Sequence, residues 1–218
     1  MREDVSIKKL ILVPAVITLA VTLLRLAGEL LHWAPRLFSR QAGGGGAIVG
    51  IVWLVPVFGA YFALKLARAG EGPARPGAAI LHALAGFLIM PALGFLAINL
   101  GVPDQSFTIF GIFIVLGTIG AVIAYRGWPQ LGKTLLAYGL AARIPVVIVM
   151  LVAMLGDWGT HYDVAPPGFP QMGVLAKWFM IGVVPQLTIW IWFTMAAGAV
   201  VGTIAAALAL RSRRPALA

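Results

Sequence analysis

The chain has 218 residues, of which 61% are hydrophobic and only 11% charged. A soluble domain has about a quarter of its residues charged, so this balance excludes an ordinary soluble enzyme or binding module and points to a polytopic membrane protein. The net charge of +9 reads as basic residues gathered on one side of a bilayer rather than as a nucleic-acid surface, and the absence of cysteine excludes disulfides, thiolate metal sites and a cysteine nucleophile.

The N-terminal MREDVSIKKLILVPAVITLAV has the basic start and apolar run of a secretory signal. Arg25 and Glu29 interrupt the region where a small-x-small cleavage site would follow, so a retained first helix over about 10–31 is the better reading. Arg25, Glu29 and His32 fall at i, i+4 and i+7 and share one face of that helix, where Arg25 and Glu29 can neutralise each other. Glu29 and His32 also form an E-x-x-H pair, the spacing by which di-iron helix bundles present two ligands. A di-iron site needs a second such pair and further glutamates, and the chain has only three glutamates in all, so at most a mononuclear site is open.

The first outer loop ends in a four-glycine run, 43–46, with no phosphate-loop context, and reads as a linker. A second span is expected over about 47–64 and a third over 77–100. His82 lies near the opposite end of the third span from His32 and His161, which argues against a bis-histidine haem. A fourth span is expected over 107–125 and a fifth over 134–155. Pro56, Pro91 and Pro145 lie inside spans and should free the carbonyls of Val52, Phe87 and Ala141, either to line a cavity or to be satisfied by neighbouring helices.

Arg143 lies nine residues into the fifth span, ~13 Å from its start. A centred arginine costs at least ~3 kcal/mol on insertion scales, and no carboxylate is expected at its depth. Either it serves an anionic ligand or lipid phosphate, with Arg25 as a second candidate, or it snorkels to headgroups.

The third outer loop, GDWGTHYDVAPPGFP, contains Asp157, His161 and Asp163. Together with Glu29 and His32 these could form an oxygen and nitrogen site for zinc or iron. The competing reading is structural, with Asp157 and Gly159 ending a helix, Trp158 anchoring the interface and Pro166–Pro167 making a turn. An outer interfacial helix is expected over about 174–184, divided by Pro185 from a sixth span over 186–210. In that span Gly198, Gly202 and Ala206 form a small-residue stripe that suits internal close packing or a homo-oligomer seam. Trp33, Trp128, Trp158 and Trp178 fall at expected helix ends.

Of the 16 lysines and arginines, 11 fall on one side of these six spans and three on the other, with Arg25 and Arg143 inside spans. That bias places both termini in the cytoplasm. LVPAV at 12–16 and LVPVF at 54–58 share a local pattern, but no match between halves establishes an inverted repeat. Serine-protease, P-loop, Rossmann and HExxH signatures are absent.

The expectation is an all-α, polytopic transmembrane helix bundle of six spans, a single integral membrane domain over 1–218 in a bacterial-type inner membrane. Its function reads as a permease-like or lipid-binding component, or an accessory subunit of a membrane complex. The partners expected are membrane lipids, with no cofactor. The alternative is a metal-dependent membrane enzyme, with zinc or iron on the outer face.

Overall fold

In the computed structural model, which describes residues 5–104 and 106–211, the apolar runs become helices in chain order. These are α1 (Ile7–Leu30), α2 (Leu54–Arg68), α3 (Pro76–Asn99), α4 (Phe107–Gly127), α5 (Pro129–Gly156), α6 (Val174–Lys177), a π-helical turn (Trp178–Val183), α7 (Val184–Leu187) and α8 (Ile189–Arg211). Among the described residues there is no strand, and five helical stretches are long and apolar enough to cross a membrane. The protein is a multi-pass, membrane-embedded helical bundle.

Local sequence explains several helix starts. Pro76 and Pro129 occupy first-turn positions of α3 and α5, where a missing N–H leaves no bond unmade. Ser106 caps α4, its hydroxyl accepting from the Ile109 N–H at 3.1 Å. Residues 79, 83, 86 and 94 are the buried positions of α3, and all are alanine or glycine, while Leu81, Leu88 and Phe95 point outward. In α4 the buried Gly117, Gly120 and Ala124 contrast with exposed Phe107, Val115 and Ile119. Small inside and large outside is what lipid-facing helices require, because side chains gain little by leaving lipid while backbones gain by close approach.

Helix α8 is the hub, packed by α2, α3, α4 and α5, while α1 lies chiefly along α5. One core joins Phe62 and Leu66 of α2 to Leu131, Leu135 and Tyr138 of α5 and Ala199 of α8. A second, towards the end of α5, joins Val146, Met150, Ala153 and Met154 to Tyr162. At the opposite end Glu71 ties the turns together: it accepts from Val5 N at 3.1 Å and Gln130 Nε2 at 2.9 Å, and its carbonyl accepts from Trp128 Nε1 at 2.8 Å.

Several expectations need correction. The second span begins at Leu54 rather than 47 and is 15 residues long, ~22 Å of helix. The apolar stretch before it folds back instead, with Ile48 N and Val49 N donating to the carbonyls of Arg36 and Leu37. Five glycines between 43 and 50 make that stretch a poor helix, and hydropathy does not register the difference. Pro56 consequently sits in the first turn of α2, and the Val52 carbonyl is taken by Val55 N.

The 174–184 segment is helical as expected but is not divided from the last span at Pro185. Helix continues through Pro185, which occupies the start of α7, and the backbone breaks at Thr188 (φ −119°, ψ −75°). The Trp178 indole N–H donates to Val147 O of α5 at 2.9 Å. The whole stretch from α6 to α8 runs beside α5.

The stripe of Gly198, Gly202 and Ala206 faces inward. A Cβ on Gly202 would stand 2.7 Å from Gly59 O of α2, and Ala206 is fully buried. That is the internal close packing expected of the stripe. Finally, Trp128 is buried at the α4–α5 junction rather than placed at an interface.

Candidate functional site

The site is assembled on the inner face of α1. Thr18, Thr22, Arg25 and Glu29 follow one another at i, i+4, i+7 and i+11, and all four are buried in an otherwise apolar helix. Each finds a partner on α5, on the loop between α1 and α2 or on the loop after α5. Thr18 Oγ1 shares a 2.8 Å hydrogen bond with Tyr138 Oη, and Tyr162 Oη donates to Thr22 O at 3.2 Å. Arg25 Nη2 donates to the carbonyls of Ser39 (3.3 Å) and Gly44 (3.0 Å), while its Nε donates to Glu29 Oε1 at 2.8 Å. The expected Arg25–Glu29 pair is present.

Glu29, fully buried, also holds the loop that follows α5. Its Oε1 accepts from His161 Nδ1 at 2.5 Å and its Oε2 from the His161 backbone N–H at 2.9 Å. With Nδ1 donating, the other ring nitrogen of a neutral His161 is a free acceptor, and among the described residues Nε2 has no hydrogen-bond partner. Burial lowers the His161 pKa below the ordinary histidine value, and Arg25 adds to that. The Glu29 hydrogen bond and the charges of Glu29 and Asp163 oppose it without prevailing. Burial likewise raises the Tyr162 phenol, which keeps its proton on the bond to Thr22.

The loop that presents His161 is shaped by its own residues. Asp157 ends α5 in the left-handed region (φ 47°) and Gly159 follows at φ 61°. Asp163 then closes the turn, accepting from Gly159 N (2.8 Å), Thr160 N (2.7 Å) and Thr160 Oγ1 (2.6 Å). Arg40 of the loop between α1 and α2 clamps it through Gly159 O at 2.8 Å. The glycine run in that first loop is not a slack linker. Gly44, at φ 73°, passes so close that a Cβ there would lie 2.9 Å from the His161 ring and 3.1 Å from Arg25 Nη2.

The proposed metal-ligand set is not brought together. His32 does not stay on the α1 face: it leaves the helix at φ 56°, its Nδ1 donates to Leu30 O at 3.0 Å, and its Nε2 accepts from Arg40 Nη1 at 2.9 Å. Asp163 has both oxygens filled by its own turn, and Asp157 serves as a helix terminus. Glu29 and His161 do meet, but as hydrogen-bond partners, with both carboxylate oxygens occupied. Among the described residues no group of three histidines, aspartates or glutamates is placed to hold a metal ion.

Arg143 takes a different position from its sequence-based one. Because α5 starts at Pro129, the residue stands midway along the 28-residue helix and is only 4% exposed. Its partners come from the α7–α8 junction: Nη1 donates to Gln186 Oε1 at 3.2 Å, and the guanidinium lies 4.5 Å from the centre of the Trp190 ring. Nε is buried with no partner at all. Gln186 and Trp190 are one helical turn apart and were not singled out in the sequence; their signal is an i, i+4 pair of a polar and an aromatic residue where a buried cation needs covering.

Arg25, Arg143 and His161 all open onto one cavity of about 860 Å³ between α1, α4, α5, the π-turn and the loops before α2 and after α5. Its walls are largely apolar and include Phe107 and Phe110 of α4 and Met150 of α5. Asp104 lies on its α4 side and makes no ion pair with either arginine. No family model, curated protein or solved structure matches this chain. The cavity itself therefore carries the functional argument.

Proposed function

We propose that the cavity is the binding site for an amphiphilic anion, its oxyanion head on Arg143 and its apolar body along Phe107, Phe110 and Met150. The protein is then a permease-like or lipid-binding membrane component, with lipid phosphate as the ligand chemistry. The observation that carries this reading is Arg143: a mid-helix guanidinium paired with no carboxylate, with one nitrogen unsatisfied, on the wall of a roomy cavity. A buried cation left in this state is costly unless water or an anion completes it. No zinc or iron enters the proposal, because the candidate ligands are engaged with one another or stand apart.

The test compares binding of a short-chain phosphatidylglycerol with binding of inorganic phosphate by the purified protein. Arg143→Leu should weaken the lipid about tenfold to a hundredfold, the equivalent of one charge-assisted hydrogen bond of ~1.5–3 kcal/mol. Arg143→Lys should retain part of the affinity, since the charge stays but the planar fork does not. Inorganic phosphate should bind far more weakly than the lipid. Equal lipid binding by Arg143→Leu and the parent would overturn the reading; equal binding of both probes by the parent would remove the apolar half of it.

The charge distribution supports an arrangement with both termini in the cytoplasm of a bacterial-type inner membrane and the cavity on the outer side. A topology reporter inserted at Gly168 should therefore report the periplasm, and one at Gly72, between α2 and α3, the cytoplasm. The same compartment at both sites would mean that the spans between them are miscounted.

A further inference from the structure

We infer that His161 is a proton-binding site coupled to the anion site, so that the cavity takes up its anion together with a proton. The inference rests on the reading of the cavity given above and adds its coupling ion.

The geometry makes His161 the group able to respond. Its Nδ1 is committed to Glu29, which fixes the ring, and its Nε2 has no partner while the residue lines the cavity. A proton arriving at Nε2 turns a neutral ring into a cation on the wall that would surround the anion. The carboxylate needed to support that cation is already in place at 2.5 Å.

The charged and titratable neighbours divide into fixed and competing groups. From α1, Glu29 favours the protonated ring and Arg25 opposes it. From the His161 loop, Asp163 favours protonation but is held by its own turn, and Tyr162 keeps its proton. From the loop between α1 and α2, Arg40 is engaged with Gly159 and His32. Arg143 of α5 and Asp104 at the α4 side complete the cavity.

The sign follows from linkage. With no anion bound, burial and Arg25 keep His161 neutral at pH 7. A bound anion adds negative charge near the ring and raises its affinity for a proton, and by reciprocity the proton raises affinity for the anion. Affinity should therefore climb as pH falls through the interval between the anion-bound and anion-free titrations of His161. It levels off below the anion-free titration. One linked proton limits the slope to about tenfold per pH unit.

The experiment measures short-chain phosphatidylglycerol binding from about pH 8 to about pH 5, a range that spans ordinary histidine titration. The phosphodiester of this probe stays monoanionic throughout. Calorimetry in two buffers of different ionisation enthalpy reads the protons taken up directly, and this part needs no variant. The parent should take up a fraction of a proton on binding and show an affinity that rises toward low pH. In His161→Gln affinity should no longer vary with pH. The backbone N–H of residue 161 still reaches Glu29 in the glutamine variant, so the loop keeps that tether.

Absence of proton uptake by the parent, or an unchanged slope in His161→Gln, overturns the coupling while leaving the anion site standing. Failure of the parent to bind the lipid at any pH instead overturns the anion site.

Discussion

Glu29→Ala should cost about 3 kcal/mol and lower the thermal unfolding midpoint in detergent by about 10 °C. The single carboxylate receives Arg25 Nε, His161 Nδ1 and His161 N, so its removal leaves one buried cation and one loop without their shared acceptor. The cost sits at the lower end of the range for breaking a buried pair because Arg25 keeps the carbonyls of Ser39 and Gly44. Proteolysis between 156 and 170 should accelerate as the loop is released from α1. Replacing the pair together, as Arg25→Met with Glu29→Leu, should recover part of the midpoint, since removing both charges also removes the desolvation that made the pair necessary. A midpoint for Glu29→Ala equal to the parent's would show that Glu29 does not hold the outer end together.

What the sequence revealed and what it concealed differ by the range of the interactions. The helices of α1, α3, α4 and α5 were legible because hydropathy, first-turn prolines and the Ser106 cap are local signals. The Arg25–Glu29 pair was legible for the same reason, being one turn apart. Residues 47–53 were not, since an apolar run has the same hydropathy as helix or packed loop, and what decides is the backbone pairing with Arg36 and Leu37. His32 looked like a neighbour of Glu29 by helical spacing, but the helix ends two residues too soon. The true neighbour, His161, lies 132 residues away along the chain. Sequence reasoning grouped Glu29 and His161 at one place with metal ligation as one of two readings, and the structure joins them as acceptor and donor of a hydrogen bond. Thr18 and Thr22 were passed over although their spacing continues the Arg25–Glu29 face one further turn and more into the bilayer. For Arg143 an anionic ligand, a lipid phosphate or headgroups were the expected partners, and the amide of Gln186 and the indole of Trp190 were not foreseen.

Gly59→Val should be the most damaging substitution in the membrane interior, abolishing the folded bundle in size-exclusion and thermal-unfolding measurements. A Cβ on Gly59 would lie 2.5 Å from Gly198 O, 2.7 Å from Gly198 Cα and 2.9 Å from Gly198 C, all backbone atoms that cannot swing aside. Only separation of α2 from α8 relieves the clash, and that opens the core around Phe62, Leu131 and Leu135, each fully buried. The same logic applies between α3 and α4, where a Cβ on Gly86 would meet Gly120 O at 2.4 Å. The effect is positional rather than a property of glycine in helices, and α4 supplies the control. Gly111 has nothing within 4 Å of an added Cβ, so Gly111→Ala should fold and unfold as the parent does. In lipid the helices gain little from burying large apolar side chains, so close backbone approach at these glycines is what holds α2 to α8. A folded Gly59→Val bundle with the parent's unfolding midpoint would mean that α2 does not rest on α8 at this crossing.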